Sequence, residues 1–294
     1  MTETPLVTAV ERLVIAVRDL AEAERIYTRI LGRSPSWRHE DPGGGTAHVL
    51  YRLDNIGLEL VTPTGDGPWG LVVSRHLEKQ GEGIQVLFLA TSDAVAATEQ
   101  LKGRGLPAVA LPEGGAKSGS RIRRWRSVIL PPHVTRHLPI IVNEVISAPD
   151  VVPLAPLREG VAAGDAISAL DHVVVMTPDA EACKKLFGEQ LGIRLALDQS
   201  KPEWGVRQLF FRVGGVTIEV VEPLDKEKAP KIDAFWGMAF RAASVGAVRD
   251  RLAREGADVS DVRVGRKKGT KVATIRKPTC GVPVLLVGPS PETV

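Results

Sequence analysis

Apolar residues recur along this chain with two alternating periods. ERLVIAV, residues 11–17, is a continuous apolar run of strand length, and the DLAEAERIYTRILG stretch after it spaces Leu20, Ala23, Ile26, Tyr27 and Ile30 along one helix face. Gly32 stands where that helix has to stop. WRHE, AHVLYRL and GLELVT then read as three strands parted by the turn signals DPGGG and DN. QVLFLA, the helical AVAATEQLKGRG and three more strands repeat the order, and the second half of the chain runs through it twice again. The pattern predicts an α+β fold of four βαβββ modules.

The second half copies the first. At a shift of 160 positions Glu11 falls on Asp171, and the register holds without a gap as far as Pro63 and Pro223. ERLVIAV then faces DHVVVMT, Leu31-Gly32 meets Leu191-Gly192, and RLDNIGLELVTP faces RVGGVTIEVVEP with Glu59 on Glu219. Past this point the shift changes with loop length. GIQVLFLATSDAVAATEQLKGRG resembles FWGMAFRAASVGAVRDRLAREG, GAKSGSRIRRWR resembles GRKKGTKVATIR, and both copies finish on an apolar strand, LPIIV and VPVLLV. Between the halves, SAPDVVPLAPLREGVAAGDAIS is aperiodic and rich in Pro, Ala and Gly, as a linker is. The expected division is residues 1–147, a linker at 148–168, and 169–294.

With 294 residues, 44% of them hydrophobic and 25% charged, the chain has the composition of two ordinary folded domains of about 140 residues each. No apolar stretch has the length of a membrane span, and MTETPLVTAVERLV lacks the order of a leader peptide. The expected compartment is therefore the cytoplasm, with no membrane partner. Cys183 and Cys280 are isolated, which indicates neither a disulfide framework nor a zinc cluster. A net charge of +3 from nearly balanced signs gives no case for nucleic acid.

Four βαβββ units in this length resemble the vicinal oxygen chelate superfamily of glyoxalases, bleomycin-resistance proteins and extradiol dioxygenases. The similarity is to members with two paired-module domains. LDHVVVMTPDAEACKKLFGEQLGI and VTIEVVEP look like the family's opening strand and helix and its fourth strand, and RLVIAVRDLAEAERIYTRILG and GLELVTP are the matching pieces of the first half. The resemblance implies curled mixed β-sheets around a cavity. There, His and Glu on the first and fourth strands of paired modules hold a divalent metal that a substrate with neighbouring oxygens chelates. Carried over position by position, it assigns His172 and Glu219 in the C-terminal half, with Gly237 and Leu285 where the partner module should supply ligands. In the first half it assigns Glu59, alongside Arg12, Val86 and Ile141. Two ligands seldom hold a catalytic metal, so no resident cofactor is expected unless another side chain or the substrate completes a divalent-metal site around His172 and Glu219. Extradiol dioxygenase activity, which needs ligands at Gly237 and Leu285, is excluded on this alignment.

His172 and Glu219 also suit general acid–base work, since a carboxylate beside an imidazole fixes its tautomer and stabilises its charged form. An ion pair retained in a ligand pocket accounts for them equally well, and Arg12 beside Glu59 reads as a salt bridge replacing a metal position. Two basic stretches stand out: Lys117, Arg121, Arg123, Arg124 and Arg126, and Arg266, Lys267, Lys268, Lys271 and Arg276. Strand alternation lets only part of each cluster point inward. Lys271 and Arg276 are candidate clamps for an anionic ligand, and Trp236 and Phe210 candidate walls. Solvated strand edges explain most of the other charges, and core packing most of the aromatic residues. His133 and His137 lie four apart, but Pro132 and Pro139 break any helix that would pair them. Two functions stay open. One is a glyoxalase-like isomerase or lyase acting on a small oxygen-rich metabolite in the C-terminal cavity; the other is a non-catalytic protein that sequesters a small molecule. A homodimer also stays open.

Overall fold

Asp19, Asp93, Asp179 and Ser244 each stand immediately before a helix and accept a hydrogen bond from a backbone N–H of its first turn. These four caps mark four modules. In the computed structural model, which describes residues 5–290, the first module comprises β1 (Ala9–Ala16), α1 (Leu20–Leu31), β2 (Trp37–Asp41), β3 (Thr46–Arg52) and β4 (Gly57–Pro63). A further helix, α2 (Pro68–Gln80), leads to the second: β5 (Gly83–Ala90), α3 (Ala94–Gly103), β6 (Val109–Ala110), β7 (Gly114–Ser118), β8 (Arg121–Ile129) and β9 (Ile140–Val145). The third contains β10 (Ile167–Met176), α4 (Ala180–Lys184), β11 (Arg194–Lys201), β12 (Val206–Val213) and β13 (Val216–Pro223). The fourth contains β14 (Ala234–Ala242), α5 (Val245–Arg254), β15 (Asp258–Val259), β16 (Arg263–Val264), β17 (Thr270–Lys277) and β18 (Val284–Pro289).

Each half forms one curled mixed sheet, ordered β2-β3-β4-β1-β5-β9-β8-β6 with β7 also on β8, and β11-β12-β13-β10-β14-β18-β17-β15 with β16 also on β17. The two orders are the same, which makes the chain an α+β duplication of βαβββ pairs. Strand alternation gives each sheet a helix face and an open face. In β3, Tyr51 points at α1, its hydroxyl donating to Glu24 O at 2.9 Å and lying 2.8 Å from Thr28 Oγ1. His48 and Leu50 are on the other side. In β12, Arg207 reaches Glu181 of α4 and Phe211 packs on Phe187, which leaves Gln208 and Phe210 on the open face.

Helix α2 was not evident from the periodicity. Pro68 at its first position pre-sets the backbone angle, and only Gly70, Val73 and Leu77 bury. Gly32 ends α1 at φ 64°, and its repeat mate Gly192 has φ 70°, so both positions use the left-handed region open to glycine.

Packing groups the described residues into two compact units, each drawing on one module from each half: residues 5–13, 86–151 and 172–236, and residues 14–85, 152–171 and 237–290. In the first unit, the fully buried carboxylate of Asp233 ties together the β8–β9 loop, the turn after β10 and α4. It accepts from Arg136 Nε at 2.5 Å and Nη2 at 3.0 Å, Thr177 Oγ1 at 2.7 Å and Cys183 Sγ at 3.2 Å. In the second, Arg251 of α5 caps the C-terminus of α1, donating to Arg29 O at 2.6 Å and Ile30 O at 3.0 Å, and to Asp165 O at 2.9 Å. Tyr27 of α1 donates to Thr279 O at 3.1 Å. The segment joining the halves lies along the first module, where Arg33 holds Ala155 O and Ile167 O, and Arg52 holds Val152 O. No described helix is long and apolar enough to cross a membrane.

Candidate functional site

Glu219 interrupts an otherwise apolar strand, and its neighbours across the sheet explain how a carboxylate is accommodated there. β10 and β13 run parallel with Val174 opposite Glu219 and His172 opposite Thr217, so His172 and Glu219 share a face two residues apart. His172 Nε2 lies 3.4 Å from Glu219 Oε2, with side-chain exposures of 19% and 13%. Gln208 Nε2 donates to Glu219 Oε1 at 2.6 Å, and Gln199 Nε2 donates to Gln208 Oε1 at 3.2 Å. A ladder of hydrogen bonds across β11, β12 and β13 thus fixes the carboxylate against the imidazole. Phe210, paired directly with Glu219, is the apolar neighbour on this face.

The family's metal set does not fit the C-terminal half. At Gly237 a Cβ would come within 2.7 Å of Pro283 O, so no histidine can stand there without moving the backbone. Leu285, opposite Ala239 and Thr274, offers no ligand atom. In the N-terminal half Arg12 is buried, lying 3.6 Å from Glu11 Oε2 and 4.1 Å over the Phe88 ring, while Val86 and Ile141 supply no donors. Neither half presents a complete set at the positions the resemblance assigns.

The other expected residues are scattered. By register Lys271 shares its face of β17 with buried Ala273 and Ile275. Arg276 pairs with Asp258 at 3.0 Å and borders a 560 Å³ cleft beside α1 that also includes Glu82 and Cys280. Both belong to the second compact unit, whereas His172 and Glu219 belong to the first. Trp236 is 55% exposed. In the other basic stretch Arg123 is the inward member, buried in an ion pair with Glu11, while Arg124 and Arg126 pair with Glu113 at the surface. Burial pushes the thiols of Cys183 and Cys280 up to about 12, so neither is a nucleophile near neutral pH.

One constellation escaped the sequence reading. His39 and His48 face each other across β2 and β3, and Glu59, on β4, is opposite Leu50 and thus a diagonal neighbour of His48. The imidazoles stack with centroids 4.3 Å apart and planes within 7°. His48 Nδ1 is 3.2 Å from Glu59 Oε1, and Nε2 is 2.8 Å from Thr46 Oγ1. One potential ligand atom from each of His39, His48 and Glu59 lies within 4.8 Å of the other two. The signal lay in HEDPGGGTAH, where a tight glycine turn sets two histidines opposite one another, but only the strand register reveals it.

The sequence profile of the Glyoxalase/Bleomycin resistance protein/Dioxygenase superfamily matches residues 11–122 and 171–274, one match in each half. The chain belongs to this superfamily. It is 30% identical over 101 residues to an ethylmalonyl-CoA/methylmalonyl-CoA epimerase of Cereibacter sphaeroides, a match spanning 32% of this chain and 75% of that protein. Among solved structures, a 4-hydroxymandelate synthase variant from Streptomyces coelicolor superposes with a TM-score of 0.72 at 14% identity, over 98% of this chain and 94% of that one. A Mn(II)-bound glyoxalase from Novosphingobium aromaticivorans gives 0.62 at 15% identity, over 96% and 82%. At such identities the structural likeness defines the fold.

Proposed function

We propose that the protein transfers a proton next to a carbonyl group of a small oxygen-rich metabolite, as an isomerase or lyase, using His172 and Glu219. The observation that carries this reading is the 3.4 Å approach of the His172 imidazole to a carboxylate that Gln208 holds in place on the open face. In such a site the imidazole takes the proton from carbon, and the electron pair moves onto the carbonyl oxygen. The carboxylate steadies the imidazolium until the proton leaves. Protonation of the same carbon from its other face by water, with the proton on His172 released to solvent, completes an isomerisation. Similarity to an epimerase of acyl-CoA substrates supports this choice and makes a branched acyl thioester the first substrate class to try. Phe210 would be the wall against its apolar part.

The test is solvent exchange. The protein is incubated in D2O with acyl thioesters and 2-oxo acids, and deuterium entering the C–H beside the carbonyl is followed by NMR. Exchange that requires His172 is the expected result. A second reading, a binder that sequesters a small molecule, is favoured by the missing ligands at Gly237 and Leu285. Compounds that bind without His172-dependent exchange would establish it and overturn the first.

A further inference from the structure

We propose that His39, His48 and Glu59 form a binding site for a first-row divalent transition-metal cation, which shares Glu59 with the ligand positions that the superfamily resemblance assigns but replaces Arg12, Val86 and Ile141 with two histidines from other strands. Two imidazoles and one carboxylate are a donor set for zinc, iron(II), cobalt and their neighbours, whereas a hard cation such as magnesium prefers oxygen alone. The strand framework is built to hold the set. Asp41 closes the β2–β3 turn by accepting from Gly44 N at 2.9 Å and Gly45 N at 2.7 Å, and this turn fixes His39 opposite His48. Glu59 is 3% exposed, with the His48 imidazole 3.2 Å from its carboxylate.

The imidazole of His48 is aimed by its neighbours. With Nε2 against Thr46 Oγ1, buried Nδ1 faces Glu59 Oε1 at 3.2 Å without hydrogen-bond alignment. A metal-ligating imidazole is held through its other ring nitrogen by a hydrogen-bond partner, and Thr46 Oγ1 takes that place at His48 Nε2, leaving Nδ1 for a cation. Ligand atoms within 4.8 Å of one another need to close by about an ångström to surround an ion at roughly 2.1 Å, a change within reach of side-chain rotation.

The other half provides an internal control. At the shift of 160 positions His39, His48 and Glu59 fall on Gln199, Gln208 and Glu219, which occupy the same cross-strand ladder. There the amides complete a hydrogen-bond chain to the carboxylate. The ladder therefore folds without imidazoles, and the fold does not account for them in the first half. The duplication has put an imidazole pair for a metal in one half and an acid–base imidazole in the other.

The test uses the full chain stripped with a chelator and titrated with Zn²⁺ by calorimetry and with Co²⁺ by visible absorption. One tight equivalent of each is expected, with weak Mg²⁺ binding. The variant His39→Gln with His48→Gln carries the residues that already fold in the other half. It should keep its melting transition while losing affinity by about 100-fold or more, since removing outer-shell partners alone costs about 10–100-fold. The His172→Gln protein should keep the full equivalent, which separates this site from the proposed catalytic one. Undiminished affinity in the doubly substituted protein, a metal equivalent that depends on His172, or no tight equivalent in the unaltered chain would each overturn the proposal.

Discussion

Replacing Asp233 by Asn should destabilise the protein by about 2–3 kcal/mol. Asp233 is fully buried and accepts four hydrogen bonds, two of them from the Arg136 guanidinium, whose charged form its carboxylate favours. Removing one member of a buried charge pair typically costs about 3–5 kcal/mol, because the other charge is left buried and unpaired. Two features lower the figure here. Asn retains one acceptor oxygen, and Arg136 keeps 27% of its surface exposed and can turn toward water. In a chain of this size the loss corresponds to a fall of about 3–5 °C in melting temperature. Urea unfolding measures it directly, and a cycle with Arg136→Met isolates the pair. A loss under about 0.5 kcal/mol, or strictly additive losses in the cycle, would refute the assignment of this node as a tie between modules.

Other consequences follow from the same kind of reasoning. Arg251→Met keeps the apolar stem but strips three carbonyls of their donor, so a loss of about 2–3 kcal/mol in urea unfolding is expected; unchanged stability would show that water caps α1 equally well. Cys183 and Cys280 should resist a disulfide reagent at pH 8 in the native protein and react once it is unfolded, with fast native labelling as the contrary result. The same shifts predict alkaline destabilisation. An unfolded chain loses its thiol protons from about pH 9 while the native one keeps them to about 12, so native stability falls as pH rises through that window. Tyr27 and Tyr51, both raised by burial, act in the same direction, and a urea midpoint constant from pH 8 to 10.5 would contradict this.

Much of the fold could be read from the chain because its signals are local and repeated. Helix spacing, turn glycines and apolar strands recur four times, and the gapless register that laid Glu59 on Glu219 reappears as equivalent cross-strand positions, opposite Leu50 and Phe210. The approach of His172 to Glu219 was legible for the same reason, since both lie on strands fixed by the repeat. What stayed hidden depends on pairing between distant residues. His39 and His48 meet only through hairpin register, which no hydrophobic period records. Arg136 and Asp233 are 97 positions apart, and nothing in their neighbourhoods announces the pair. The compact units also draw on both halves, because the helices of one half bury against elements of the other, as Arg251 does on α1. Lys271 and Arg276 stood out by charge, a property that leaves open which face of a strand a residue occupies.

The most direct test of the account compares three proteins in one exchange experiment: the unaltered chain, His172→Gln, and His39→Gln with His48→Gln. With a substrate identified from the thioester and oxo-acid panel, the rate of deuterium entry beside the carbonyl is measured at saturation, and folding is checked by melting transition. The account predicts a loss of about 10²–10⁴-fold in the His172→Gln protein, the usual worth of a positioned acid–base group, and a normal rate in the doubly substituted one. A normal rate in His172→Gln, or a rate that collapses only when His39 and His48 are replaced, would contradict it and move the chemistry to the other half of the chain.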